Sequence, residues 1–197
     1  MRSFAIHAVA LLSLVLASRP LAVQAEKYSV DPAHTSVIFG ISHMGFSYTY
    51  GRFNKVAGSY VLDEANPAGS SFELTIDAAS IDTNDAKRDE HLRGADFFST
   101  SEFPTITFQS TSVAAEKNDK GETVYQVKGD LTIHGVKREV TLPLRLLKGD
   151  MSPMDNKKHS GFLCETKLAR SEFGMTNMIP GVGDEVAVTI SFEGVVE

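Results

Sequence analysis

Apolar side chains recur at every second position through most of the chain, the period of a strand with one face buried. Val37, Phe39, Ile41 and His43 share one face of a first long strand; Phe72, Leu74, Ile76 and Ala78 share another, against Glu73, Thr75 and Asp77. Ile106 and Phe108 repeat the pattern, followed by Tyr125, Val127, Gly129, Leu131 and Ile133, and by Val140, Leu142, Leu144 and Leu146. Phe162, Cys164, Thr166 and Leu168, then Val186, Val188, Ile190 and Phe192, end the series. With one strand near Gly51 to Leu62 the count reaches about eight. Turn signals separate them at Asn66-Pro67-Ala68-Gly69, Asn118-Asp119-Lys120-Gly121 and Pro180-Gly181-Val182-Gly183-Asp184. Only Asn84 to Arg93 reads as a helix, opened by Asn/Asp and closed by Gly94. The polar, methionine-dotted stretch from Lys148 to Ser160 reads as a mobile loop. Strand following strand without repeated helices predicts an all-β fold with an antiparallel sheet, either a sandwich or a closed barrel.

The first 25 residues stand apart from this pattern. Arg2 gives a positive start, Phe4 to Ala17 are apolar, and Val23-Gln24-Ala25 places small residues where a signal peptidase reads. The stretch is shorter than the roughly 20 residues a membrane span needs. A signal peptide over 1–25 and a single domain over 26–197 are therefore expected, with secretion as the destination; Arg19-Pro20 keeps a cut after Ala17 open. Both leader charges are arginines, so 17 Lys+Arg face 25 Asp+Glu in the remainder, a net charge of −8. That balance argues against nucleic acid, whose binding rests on phosphate neutralisation. The single cysteine, Cys164, excludes an internal disulfide and sits in a strand where nothing activates it.

The densest chemistry is Arg88-Asp89-Glu90-His91-Leu92-Arg93, followed by Gly94-Ala95-Asp96-Phe97-Phe98. Asp and His can do acid/base work. On a helix, however, Asp89 and His91 are two positions apart and diverge. The plainer reading is a solvated helix face with Phe97 and Phe98 docking on something apolar; a headgroup contact from Arg88, Asp89 or His91 is the sharper one. The histidines His34, His43, His91, His134 and His159 are scattered without metal-ligand spacing, so no metal and no cofactor are expected. His43 lies in phase with Val37, Phe39 and Ile41, and is either a satisfied core histidine or, in a hollow barrel, a residue facing a bound molecule. No nucleophile-elbow signature occurs, and Gly181-Val182-Gly183 lacks the setting of a dinucleotide fingerprint.

Several ordered blocks carry a resemblance. Tyr28-Ser29-Val30-Asp31-Pro32-Ala33-His34-Thr35-Ser36-Val37-Ile38-Phe39, Ile41-Ser42-His43-Met44-Gly45 and Gly51-Arg52-Phe53 open it. Ser80-Ile81-Asp82-Thr83, the 88–93 block, Asp96-Phe97-Phe98 and Phe103 to Thr111 form its centre. Gly129 to Val136, Arg170-Ser171-Glu172-Phe173-Gly174-Met175 and Val182-Gly183-Asp184-Glu185-Val186 complete it. In these blocks the chain resembles the YceI-like, polyisoprenoid-binding family. Thr35, Glu172 and Lys137 depart from the family's usual serine, aspartate and threonine, which leaves headgroup preference open.

The resemblance implies an extended, eight-stranded, lipocalin-like barrel with an apolar internal tunnel, holding an isoprenoid or other long-chain lipid in the bacterial periplasm. It also implies transient membrane contact for lipid exchange and pairing into a homodimer. An eight-stranded barrel is near the size at which side chains fill the interior or leave room for one ligand. From alternation phase, Phe39, Ile41, Phe53, Ile76, Phe108, Leu131, Ile133, Leu168 and Ile190 are expected along the tunnel. His34, His43, Arg52, Arg88, Asp89 and His91 are the polar candidates for its mouth, and Phe97, Phe98, Phe173, Met175 and Met178 for its portal. No catalytic residue is assigned. The rival readings are a lipid- or glycan-modifying enzyme using Asp89 or His91, and a secreted structural β-domain with a filled interior.

Overall fold

The computed structural model describes residues 25–197, so all of the expected leader but Ala25 lies outside the described residues. Eleven strand segments make one antiparallel sheet. The chain begins with β1 (Glu26–Val30), β2 (Ser36–His43), β3 (Ser47–Phe53), β4 (Val56–Leu62), β5 (Ser71–Asp77) and β6 (Ile81–Asp82). After the helix α1 (Ala86–Arg93) come β7 (Thr105–Lys117), β8 (Thr123–Ile133), β9 (Val136–Met151), β10 (Lys158–Ala169) and β11 (Val182–Val196). The ring β1-β4-β5-β7-β8-β9-β10-β11 closes where β11 pairs back to β1, with Val30 opposite Gly194. This is a closed eight-stranded barrel, the number alternation predicts.

Two of the eight strands are bent composites. β1 and β2 both lie against β11, and between them Asp31 caps a short turn at Pro32, where a ladder donor is missing. Opposite this bend, Asn54 and Lys55 separate β3 from β4, so the single strand read over Gly51 to Leu62 is two segments. The β2–β3 hairpin pairs His43 with Ser47, and β2 stays beside β11 as far as His43, opposite Val182.

Three further boundaries differ from expectation. The helix starts at Ala86 because Asn84 takes a left-handed φ of 61° and Asp85 is extended, its carboxylate accepting the Arg88 N–H at 3.0 Å. Ala78 leaves the strand for a tight turn whose cap is the Asp77 carboxylate. The stretch Lys148 to Ser160 is mostly strand: Met151 pairs with Lys158 and Asp150 with His159, leaving only 152–157 as a turn. Polar pairing holds this end, which apolar alternation cannot reveal. Lys158 bridges to Glu26, and His159 sits between Asp155, at 3.0 Å, and Glu193.

That last cluster makes stability depend on pH. Hydrogen bonds to Asp155 and then Glu193 hold the His159 pKa above its ordinary value, and the His159 bond pulls Asp155 down to about 2. A raised histidine stabilises the fold fully below its unfolded value and loses this contribution as pH rises through the folded one. His159→Gln is expected to lower the melting temperature at roughly pH 5.5 and to have a clearly smaller effect at about pH 9; thermal denaturation at both values checks this.

The half of the barrel at this end is solid. Tyr28 stacks on Tyr60 with centroids 5.0 Å apart, Tyr60 on Phe72 at 5.4 Å, and Phe162 on Phe192 at 5.2 Å. Phe162 meets Tyr60, Phe72 and Tyr125 edge-on. The Tyr60 hydroxyl bonds Ser160 and the Tyr28 hydroxyl donates to Glu26 at 2.7 Å, so the polar tips of this stacked pair are satisfied. Cys164 is fully buried in it, and burial pushes its thiol up to about 12, the inert state expected.

Candidate functional site

The other half of the barrel is hollow, with a cavity of about 520 Å³. On each wall strand the lining ends at one level: Val37, Val56, Leu74, Phe108, Leu131, Leu142, Thr166 and Ile190. Beyond that level the inward positions are the packed Tyr60, Phe72, Val127, Leu144, Cys164 and Phe192. The expected tunnel is therefore a cavity with a floor, because aromatic side chains fill the remaining interior.

All nine residues expected along the apolar wall, from Phe39 and Ile41 to Leu168 and Ile190, line this cavity. Gly51 is needed for the shape: a Cβ there would strike the ring of Phe39 and the methyl of Thr83. Phe97, Phe98, Phe173, Met175 and Met178 also line it, toward the open end. Phe98 meets Phe53 edge-on at 5.7 Å, and Phe97 meets the His91 ring at 5.0 Å. The charged helix thus stands over an apolar opening, with His91, Arg88 and Lys87 on its inner side.

Three of the six polar candidates are elsewhere. His34 lies at the outer β1–β2 bend, where it donates to Asp31 at 2.6 Å. Arg52 points outward because it alternates with the inward Gly51 and Phe53. Asp89 is only 7% exposed and turns away from the cavity, accepting the Thr83 N–H at 2.8 Å and the Thr83 hydroxyl at 2.6 Å. It fixes the start of the helix. His43, Arg88 and His91 do line the cavity. Arg88 is anchored by two donations to Thr83, each at 2.7 Å, and His91 lies 3.2 Å from Asp96. Asp89 and His91 have separate partners, Thr83 and Asp96, as their two-residue spacing on the helix predicts.

Some lining residues went unassigned although their signal was present. Leu74, Val186 and Val188 are in phase with assigned neighbours. Arg170 carries no such signal, since an arginine in a β-protein reads as surface. Here it is 5% exposed. It donates to the carbonyls of Gly183 at 2.8 Å, Met175 at 2.7 Å, Asn177 at 2.8 Å and Val182 at 3.1 Å. Burial lowers its pKa, against the opposing pull of Asp184. Arg170 therefore clamps the segment that carries Met175 and Met178. Arg170→Met strands four carbonyls and is expected to cost about 3 kcal/mol. Thermal denaturation then shows a fall of roughly 6–12 °C.

A closed antiparallel barrel with a deep, predominantly apolar cavity, its charged lining residues gathered toward the open end, defines a small-molecule binding protein. The YceI-like domain model matches residues 28–194, and the chain belongs to this family. A UPF0312 protein of Vibrio cholerae is 39% identical over 180 residues, covering 90% of this chain and 92% of the relative. Protein YceI of Escherichia coli O157:H7 is 40% identical over 173 residues, 87% of each chain. Among solved structures, Burkholderia cenocepacia BcnA superposes with a TM-score of 0.73 at 28% identity, over 83% of this chain and 98% of its own. A domain from Saccharophagus degradans, described as polyisoprenoid binding and implicated in plant cell wall breakdown, shares the fold at 16% identity. Its TM-score is 0.66, over 86% of this chain and 98% of that one.

Proposed function

We propose that this chain is a periplasmic carrier of isoprenoid or other long-chain lipids, its cargo's tail held in the barrel and its headgroup at the rim. The carrying observation is the floored cavity of about 520 Å³, whose walls are almost wholly aliphatic and aromatic. The polyisoprenoid-binding description of the S. degradans domain supports the ligand class. The leader composition of residues 1–25 supports the compartment.

Burial returns roughly 0.8 kcal/mol per methylene-sized group, or about 3–4 kcal/mol gross per five-carbon unit. Association and chain ordering cost on the order of 4–15 kcal/mol, so several units are needed for tight binding. An apolar cavity of about 150 Å³ takes benzene, or roughly 25 Å³ per carbon. On that scale the interior holds roughly 20 carbons, about four prenyl units. At the rim, the part of the Arg88 guanidinium not bound to Thr83, together with Lys87 and His43, orients the polar end.

Titration of the protein with a ladder of prenols of increasing length tests this reading. Affinity is expected to climb steeply per unit and to level off once the cavity is full, near four units. Equal, weak affinity from the shortest member to the longest would count against it.

A further inference from the structure

The apolar surface does not end at the cavity's rim. Among the described residues, seven of the ten exposed large hydrophobics lie on the β2–β3 hairpin and the adjacent 178–179 turn. The hairpin tip carries Met44, 62% exposed, and Phe46, 87% exposed; Tyr48 and Tyr50 follow on the outer face. A 2.6 Å bond from the Met44 N–H to the Gly181 carbonyl ties this tip to the turn bearing Met178 and Ile179. Met178 is half outside and also lines the cavity, so patch and interior form one continuous greasy surface.

We propose that this lip inserts shallowly into a lipid bilayer, so that cargo crosses between membrane and barrel without meeting water. The inference rests on the lipid-carrier reading for its purpose. Its occupant follows from two observations. The lip ends in a highly exposed apolar tip, Met44 and Phe46, suited to entering a fluid layer, and it is continuous with the cavity that an insoluble tail must reach. Met, Phe and Tyr are side chains that suit the boundary between headgroups and hydrocarbon.

The test uses the protein from residue 26 onward with phosphatidylcholine/phosphatidylglycerol vesicles and a fluorescent prenyl lipid. Phe46→Ser, at a residue that does not itself line the cavity, is expected to lower vesicle co-flotation about tenfold. It should slow transfer between vesicles by a similar factor while leaving affinity for a detergent-dispersed prenol unchanged. Met154→Ser, on the exposed turn at the far end, should change neither. Wild-type transfer should speed up as acceptor vesicles are added, the mark of direct contact. Transfer independent of acceptor concentration and of Phe46 would overturn the proposal. So would a Phe46→Ser chain that loses only self-association, which assigns the lip to a second copy. Phe46-dependent flotation without any prenol binding would uphold the lip and remove the carrier reading.

Discussion

Val188→Trp leaves the barrel folded and reduces its affinity for a long-chain prenol by about a hundredfold. Val188 faces the hollow half from β11, opposite Phe39 on β2 and Thr166 on β10, all three lining the cavity. An indole there grows into free space rather than into packed neighbours, so the overpacking cost that such a change brings in a dense core is mostly avoided. If it displaces on the order of four tail carbons, about 3 kcal/mol of burial is lost, which is the hundredfold. Paired measurements of prenol affinity and melting temperature check both halves. Unchanged affinity in a folded Val188→Trp chain would show that the tail does not lie against β11.

Phe162→Ala has the opposite signature. Its ring is fully buried in the plug, 5.2 Å from Phe192, 5.6 Å from both Tyr60 and Phe72, and 6.0 Å from Tyr125. Removing a phenyl group from such a site costs about 3–5 kcal/mol, since the cavity left behind only partly collapses. For a domain of this size the melting temperature should fall by roughly 6–20 °C. A loss below about 1 kcal/mol in chemical denaturation would mean that the far half is loosely filled, and the floor of the cavity would be in doubt.

The two variants sample the two halves of one interior, and their contrast bears on what the sequence disclosed. Period-two alternation located most of the strands and put Phe39, Ile41, Ile133 and Ile190 on the inward face, because each lies on an uninterrupted stretch of ladder. Alternation is blind to depth, however. Val188, Ile190 and Phe192 read alike, yet the first two line open space and the third belongs to the plug. It is also blind across irregularities. A register shift between Ser110 and Ser112 lets both Phe108 and Val113 turn inward although five positions separate them.

Charged residues were the least legible. Arg88 and Asp89 are neighbours in a helix of eight residues, and only the fold shows that one reaches the cavity while the other braces Thr83. Arg170 escaped notice because its partners are four backbone carbonyls, which leave no trace in composition. Arg52, by contrast, was legible: its outward direction follows from the inward Phe53 beside it. Strand β1 went unread because its five residues place only Tyr28 and Val30 inward, too short a run for alternation to register. The extended ends of β9 and β10 went unread because polar contacts such as Lys158 with Glu26 accompany their pairing.

Organic extraction of the purified protein, followed by mass spectrometry, tests the carrier claim most directly. The account predicts close to one long-chain isoprenoid or related lipid per barrel, and much less from Val188→Trp prepared in parallel. Extracts free of lipid, from a protein that also takes up no added polyprenol, would contradict it.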